Sequence, residues 1–209
     1  MKSFSAAIRV WALSFVGCAL VAALSFMTLD VPVAYRVWRI GQHLSSMSAA
    51  FGATIILTLE AAVVLSLIVA RLTRGHISRF GEALGVACLT SICAYGINDQ
   101  VLKPFFGVPP PAEVMQGARH AFNFTMGLAI DSFPSGHMVL AGAFAGVFMR
   151  LYRGSIRYLS GLLLLAAVLL VVGDWHFISD VVTGAFLGVS AGILAGELWA
   201  VHMVFSRYG

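Results

Sequence analysis

Three short segments of this 209-residue chain hold the side chains whose types and spacing could do chemistry. Lys103 stands in Leu102-Lys103-Pro104-Phe105-Phe106-Gly107, and Asp131-Ser132-Phe133-Pro134-Ser135-Gly136-His137 opens a later apolar run. Asp174-Trp175-His176-Phe177-Ile178-Ser179-Asp180 opens another. In Pro134-Ser135-Gly136-His137, Pro and Ser are helix-start residues, and Gly lets the backbone approach a ligand closely. The free amides of such a first turn, with the helix dipole behind them, can hold an anion. A plain helix cap with a snorkelling histidine fits the same letters. His176 and Asp180 are four residues apart and share one helix face. A carboxylate bonded to one imidazole nitrogen fixes the tautomer and leaves the other nitrogen able to attack. An interfacial His–Asp hydrogen bond without chemistry fits equally well. Lys103, taken alone, reads as a solvated or snorkelling lysine.

The elements that must position these residues are apolar helices. The chain is 60% hydrophobic and only 11% charged, against about 25% charged in a soluble domain. That excludes a disordered chain, a nucleic-acid-binding tail protein and an ordinary soluble enzyme. Apolar runs at Val10–Leu29, Ala49–Ala70, Gly81–Asn98, His137–Tyr152, Ile156–Gly173 and Asp180–Phe205 predict an all-α polytopic bundle of six transmembrane helices. The 20-residue first run is longer than a signal-peptide core, so it is read as a retained span. No second domain is expected, so residues 1–209 form one unit. The segment 30–48 reads either as an amphipathic helix on the membrane surface or as a plain connector.

Loop charge sets the expected orientation. Lys2, Arg9, Arg71, Arg74, Arg79, Arg150, Arg153, Arg157 and Arg207 fall on one side, and only Arg36, Arg39, Lys103 and Arg119 on the other. The positive-inside rule then makes both termini cytoplasmic and turns the three polar segments outward. The expected location is a bacterial inner (plasma) membrane, with the site on the periplasmic or outer face. Cys18, Cys88 and Cys93 lie in apolar stretches and imply no disulfide framework. No two histidines have helix-face metal spacing, so no metal is expected.

Taken together, the three segments resemble the type 2 phosphatidic acid phosphatase superfamily, whose fold is shared with vanadium haloperoxidases. Its signatures run Lys-x6-Arg-Pro, then Pro-Ser-Gly-His, then Ser-Arg-x5-His-x3-Asp. Pro134-Ser135-Gly136-His137 matches the second in full, His176 with Asp180 matches the end of the third, and Lys103 starts the first. The resemblance covers about residues 50 to 200. It implies that His176 attacks phosphorus and forms a phosphohistidine, with Asp180 orienting it. His137 would protonate the leaving alkoxide and then activate water. Lys103, Ser135 and the Gly136 amide would hold the phosphoryl oxygens. The family's chemistry uses no metal and no cofactor.

Two clamp arginines of the pattern are missing: Pro110 and Leu170 stand in their places. An arginine–phosphate contact is charge-assisted and often bidentate, so the loss is large. Either Arg119 and His120 supply cations from another backbone position, or the substrate carries less charge, or the protein binds a lipid phosphate without turning it over. The retained His137, His176 and Asp180 favour catalysis. The expected function is a membrane lipid-phosphate phosphatase, with a lipid phosphoryl or headgroup transferase as the alternative and a non-catalytic lipid-phosphate binder as the rival. The expected partners are a lipid phosphate substrate and membrane lipids, not nucleic acid.

Overall fold

The computed structural model describes residues 2–44, 49–124 and 131–205, and every regular element in them is helical. Helix α1 (Lys2–Thr28) is followed across Leu29 by α2 (Asp30–Leu44), so the first part of the 30–48 segment is a helix. Residues 45–48 and Arg207 lie outside the described residues. Next come α3 (Ala49–Arg74) and α4 (Arg79–Ile97), which Ser78 caps by accepting the Gly81 N–H at 3.1 Å.

The chain then tightens into short turns. A π-helical turn, Asn98–Leu102, leads into α5 (Lys103–Phe106). Pro104 has no N–H to continue an α ladder, and the Lys103 N–H reaches back five residues to Asn98 O. Gly107 adopts a left-handed conformation at φ 58° to end α5, with the Asn123 carbonyl too close to admit a side chain. The remaining helices are α6 (Pro111–Met115), α7 (Gly136–Leu151), α8 (Ile156–Val172) and α9 (Ile178–Phe205).

Five helical segments are long and apolar enough to cross a membrane: Ile8–Thr28, Gly52–Arg74, Arg79–Met115, Arg153–Val172 and Ile178–Met203. Five of the six expected spans are thus long enough to cross, and α7 is a shorter apolar helix. Its 16 residues reach about 24 Å at 1.5 Å per residue, short of a hydrocarbon core of about 30 Å. Apolarity alone could not separate the two cases, because α7 is apolar for a different reason. Ten of its residues are buried against protein, whereas only 6% of the α1 and α8 windows is buried.

The most extensive packing joins α7 to α9, and glycine makes it possible. Gly142 on α7 faces Gly188 on α9, Gly146 faces Gly192, and Gly184 lies against Ser135 and Met138. A Cβ added to Gly188 would lie 2.5 Å from Val139 O, and one added to Gly146 would lie 2.6 Å from Val189 O. The two backbones thus touch directly, as small-xxx-small patterns permit in membranes. This contact holds the start of α7 against the start of α9. At the other end of the pair, Arg150 and Glu197 form an ion pair between the same helices.

Helix α1 packs on the outer side of α9. Trp11 Nε1 donates to Ser190 Oγ at 3.2 Å, and the Trp11 and Phe15 rings meet Phe186. Helix α4 packs on α7 from another side, and Ser91 Oγ donates to Leu140 O at 3.1 Å.

Candidate active site

Ser135 is the N-cap of α7, and its hydroxyl accepts the Met138 N–H at 3.4 Å. The Ser135 N–H donates to Asp180 O at 3.1 Å, which ties the Pro-Ser-Gly-His turn to α9. Asn98, in the π turn, donates its side-chain amide to Pro134 O at 3.1 Å. Gly136 must be glycine because a Cβ there would lie 2.9 Å from the Tyr95 ring. The Gly136 N–H has no partner among the described residues, as the first turn of a helix allows.

Leu170 organises the segment leading to His176. Its carbonyl accepts the Trp175 N–H at 3.1 Å and the His176 N–H at 3.3 Å. Its side chain is buried with Met138 and Val181, and Trp175 packs on that cluster. The position where the family pattern expects an arginine is therefore filled by apolar packing. Pro110, at the other altered position, is the N-cap of α6.

The carboxylate of Asp180 is fully buried. Its Oδ2 accepts the Phe177 N–H at 2.9 Å, an acid in the first turn reaching back to the residue before the helix. The same oxygen lies 3.4 Å from His176 Nδ1 and accepts a hydrogen bond from Ser132 Oγ. Ser132 Oγ is also 3.5 Å from His176 Nδ1. The Nδ1 edge of the buried His176 is thus occupied by Asp180 and Ser132, and Nε2 is the nitrogen that remains.

His137 sits beside this group. Its ring centroid is 5.8 Å from that of His176, edge to face, and 6.2 Å from that of Trp175, stacked. Gly52 of α3 lies against it, since a Cβ there would be 3.2 Å from His137 Nε2. The structure therefore brings together His137, His176, Asp180, Ser135 and Gly136, and adds Ser132.

Lys103 lies on the adjoining turn, where its ammonium pairs with Asp99 at 3.3 Å. That turn is fastened to the site by Val108 O, which accepts the Ser132 N–H at 2.8 Å, and by Phe106 against Phe133. Arg119 is exposed. The inward residue of its loop is His120, whose ring stacks on Phe26 at 4.1 Å and packs on Phe177 at 4.4 Å. Burial pushes the His120 imidazole below its usual range, while the Asp180 charge pulls it back up.

Sequence reasoning quoted Ser132 but gave it no role. Sequence reasoning missed Asp30, on the junction of α1 and α2. It is 1% exposed and accepts both the N–H and the hydroxyl of Ser179, at 3.1 and 2.5 Å.

Asp174 occupies the turn before His176 in a left-handed conformation at φ 59°, which Asp and Asn tolerate better than most residues. Burial pushes its carboxyl up to about 6, so the folded protein holds its proton to higher pH than the unfolded chain does. The folded value lies above the unfolded one, so this group stabilises below pH 4, and the benefit disappears as pH rises through about 6. Asp174→Asn keeps the shape without the charge. It should raise stability at pH 7 by up to about 3 kcal/mol, with the gain vanishing near pH 4. Thermal unfolding across that pH range checks it, and equal stability at pH 7 would refute it.

A bundle of long apolar helices, with a buried imidazole–carboxylate pair where three of them begin or end, defines an integral membrane protein with a polar site at one end. The PAP2 superfamily profile matches residues 83–205, more than half of the chain and all the site segments, and the chain belongs to that superfamily. No curated protein and no solved structure matches it.

Proposed function

We propose that this protein is a lipid-phosphate phosphatase that works through a phosphohistidine on His176. Superfamily membership supports phosphatase or phosphotransferase chemistry on a phosphate ester. The observation that carries the finer reading is the His176 ring itself, its Nδ1 edge taken by Asp180 and Ser132 and the His137 ring 5.8 Å away, edge to face.

In the proposed reaction, Nε2 attacks phosphorus and the bond from phosphorus to the lipid oxygen breaks. Asp180 stabilises the imidazolium that develops. His137, entering protonated, gives its proton to the departing alkoxide. Neutral His137 then takes a proton from water as the water attacks the phosphohistidine. Inorganic phosphate leaves, and both histidines return to their starting states. Lys103, Ser135 and the Gly136 amide hold the phosphoryl oxygens, the amide being at the positive end of α7. The Ser135 hydroxyl also accepts the Met138 N–H as the cap of α7, and so fixes that turn as well. Arg119, exposed on its loop, can meet only the outer part of a headgroup.

Two clamp arginines are missing, and apolar packing fills the Leu170 position. With fewer cations, a substrate of low charge is favoured, a phosphomonoester over a diphosphate. A lipid is favoured because the site lies where membrane helices end, within reach of a headgroup whose tails stay in the bilayer. The charge distribution supports an outward-facing site with cytoplasmic termini.

The test is phosphate release by purified protein from lipid mono-, di- and diester phosphates, with a labelled lipid alcohol present. Release of inorganic phosphate from monoesters is expected. A labelled phospholipid product would instead make the protein a transferase, whose acceptor is a lipid hydroxyl. Binding without turnover of any lipid would refute catalysis.

A further inference from the structure

The family match begins at residue 83, yet the start of α9 is anchored by a residue far upstream of it. Asp30 stands at the break between α1 and α2. Its Oδ1 accepts the Ser179 N–H at 3.1 Å, and its Oδ2 accepts the Ser179 hydroxyl at 2.5 Å. The same Oδ2 lies 3.6 Å from His120 Nε2.

Ser179 directly precedes Asp180, and both lie in the first turn of α9. The N–H groups there have no partners within the helix. Two buried carboxylates divide the task of meeting them: Asp180 takes the N–H of Phe177, and Asp30 takes that of Ser179. Asp180 can hold His176 Nδ1 only while this turn keeps its place. Asp30 fastens the turn through Ser179, and Ser132 bonds the Asp180 carboxylate itself. His120, stacked between Phe26 of α1 and Phe177, closes the same joint.

A carboxylate buried only to close a helix end is costly. Burial pushes Asp30 up to about 6 in spite of its two bonds from Ser179.

We propose that Asp30 is a positioning residue of the reaction: the N-terminal hairpin completes the site by holding, through Ser179, the turn that sets Asp180 on His176. The inference rests on the phosphohistidine reading, and its test separates the two. Asp30→Ala removes the anchor. In Asp30→Asn, the amide oxygen can still accept the Ser179 N–H, and the amide nitrogen can donate to the Ser179 hydroxyl. Ser179→Ala removes one bond and keeps the other.

Two readouts are needed. One is kcat and KM for phosphate release from a lipid phosphomonoester. The other is the tautomer of His176, read by nitrogen NMR of histidine-labelled protein in detergent, with His176→Ala giving the assignment. Asp30→Ala should lower kcat about tenfold or more with little change in KM, the scale on which small misplacements act. It should also spread His176 over both tautomers. Asp30→Asn should restore both readouts, and Ser179→Ala should fall between them.

Wild-type kcat and a single tautomer in Asp30→Ala would overturn the proposal. So would Asp30→Asn behaving as badly as Asp30→Ala. If Asp30→Ala does not fold, Ser179→Ala decides, and an unchanged kcat and tautomer there would overturn it. If the wild-type protein releases phosphate from no lipid, the catalytic reading has failed. The tautomer series then still decides whether Asp30 positions the pair.

Discussion

Replacing His176 with alanine should abolish phosphate release, lowering the rate about a thousandfold or more, while the protein remains folded. The size of the effect follows from the proposed route. Nε2 of this ring is the atom that takes the phosphoryl group in the proposed route, with Asp180 and Ser132 on the Nδ1 edge and the His137 ring 5.8 Å away. His137→Ala should be less severe, because water can deliver or accept a proton where the histidine no longer does. The fold should survive, because the hydrogen bonds that fasten this turn are made by backbone N–H groups and by Asp180, not by the His176 ring. Initial rates on a lipid phosphomonoester, with size-exclusion profiles of each variant, check the prediction. A protein that only binds lipid phosphate would behave differently: wild type and His176→Ala would show the same lack of turnover and similar lipid affinity.

Adding a single methyl group at Gly188 should damage the protein more than the same change almost anywhere else. The new Cβ would stand 2.5 Å from Val139 O and 2.9 Å from Ala143 N. Both are backbone atoms of α7, so no side chain can swing away, and the two helices must separate. Overpacking of this kind costs about 1–3 kcal/mol or more. Because α7 carries His137 and α9 carries Asp180, separation also loosens the site, and turnover should fall with stability. Gly161 on α8 makes the matched control, since a Cβ there meets nothing within 4 Å. Gly161→Ala should be neutral or slightly stabilising, because alanine is the better helix former. Thermal unfolding of the two variants in one detergent makes the comparison. Equal stability would mean that α7 and α9 do not pack backbone to backbone.

What could be read from the sequence was whatever depends on neighbouring residues. Pro134-Ser135-Gly136-His137 is a local helix start, and Ser135 is indeed the cap of α7. His176 and Asp180 are one turn apart, so their meeting follows from helix geometry. Asp99 and Lys103 have the same spacing and pair. Long-range relations were not legible. Asp30 and Ser179 are 149 residues apart, and no periodicity links them. Ser132 reaches Asp180 only because the loop before α7 folds across the start of α9. Arg119 and His120 are adjacent letters, and only packing against Phe26 and Phe177 makes His120 the inward one. The glycines of α9 at 184, 188, 192 and 196 were a signal present in the sequence, a four-residue repeat of the kind that marks close helix contact. The interval alone does not name the partner, since Gly81 and Gly85 of α4 share it with Gly142 and Gly146 of α7, and only the contacts select α7. Hydropathy set the α7 run beside the others and so counted six spans, since an apolar residue facing protein and one facing lipid look alike.

The central claim is that His176 itself carries the phosphoryl group, and rapid acid-free quenching of the purified protein with a phosphorus-labelled lipid phosphomonoester tests it most directly. Label should be stable to alkali, lost in acid, mapped to the peptide containing His176, and absent from His176→Ala. Turnover of the same substrate with no label on His176, or with equal label in His176→Ala, would contradict it.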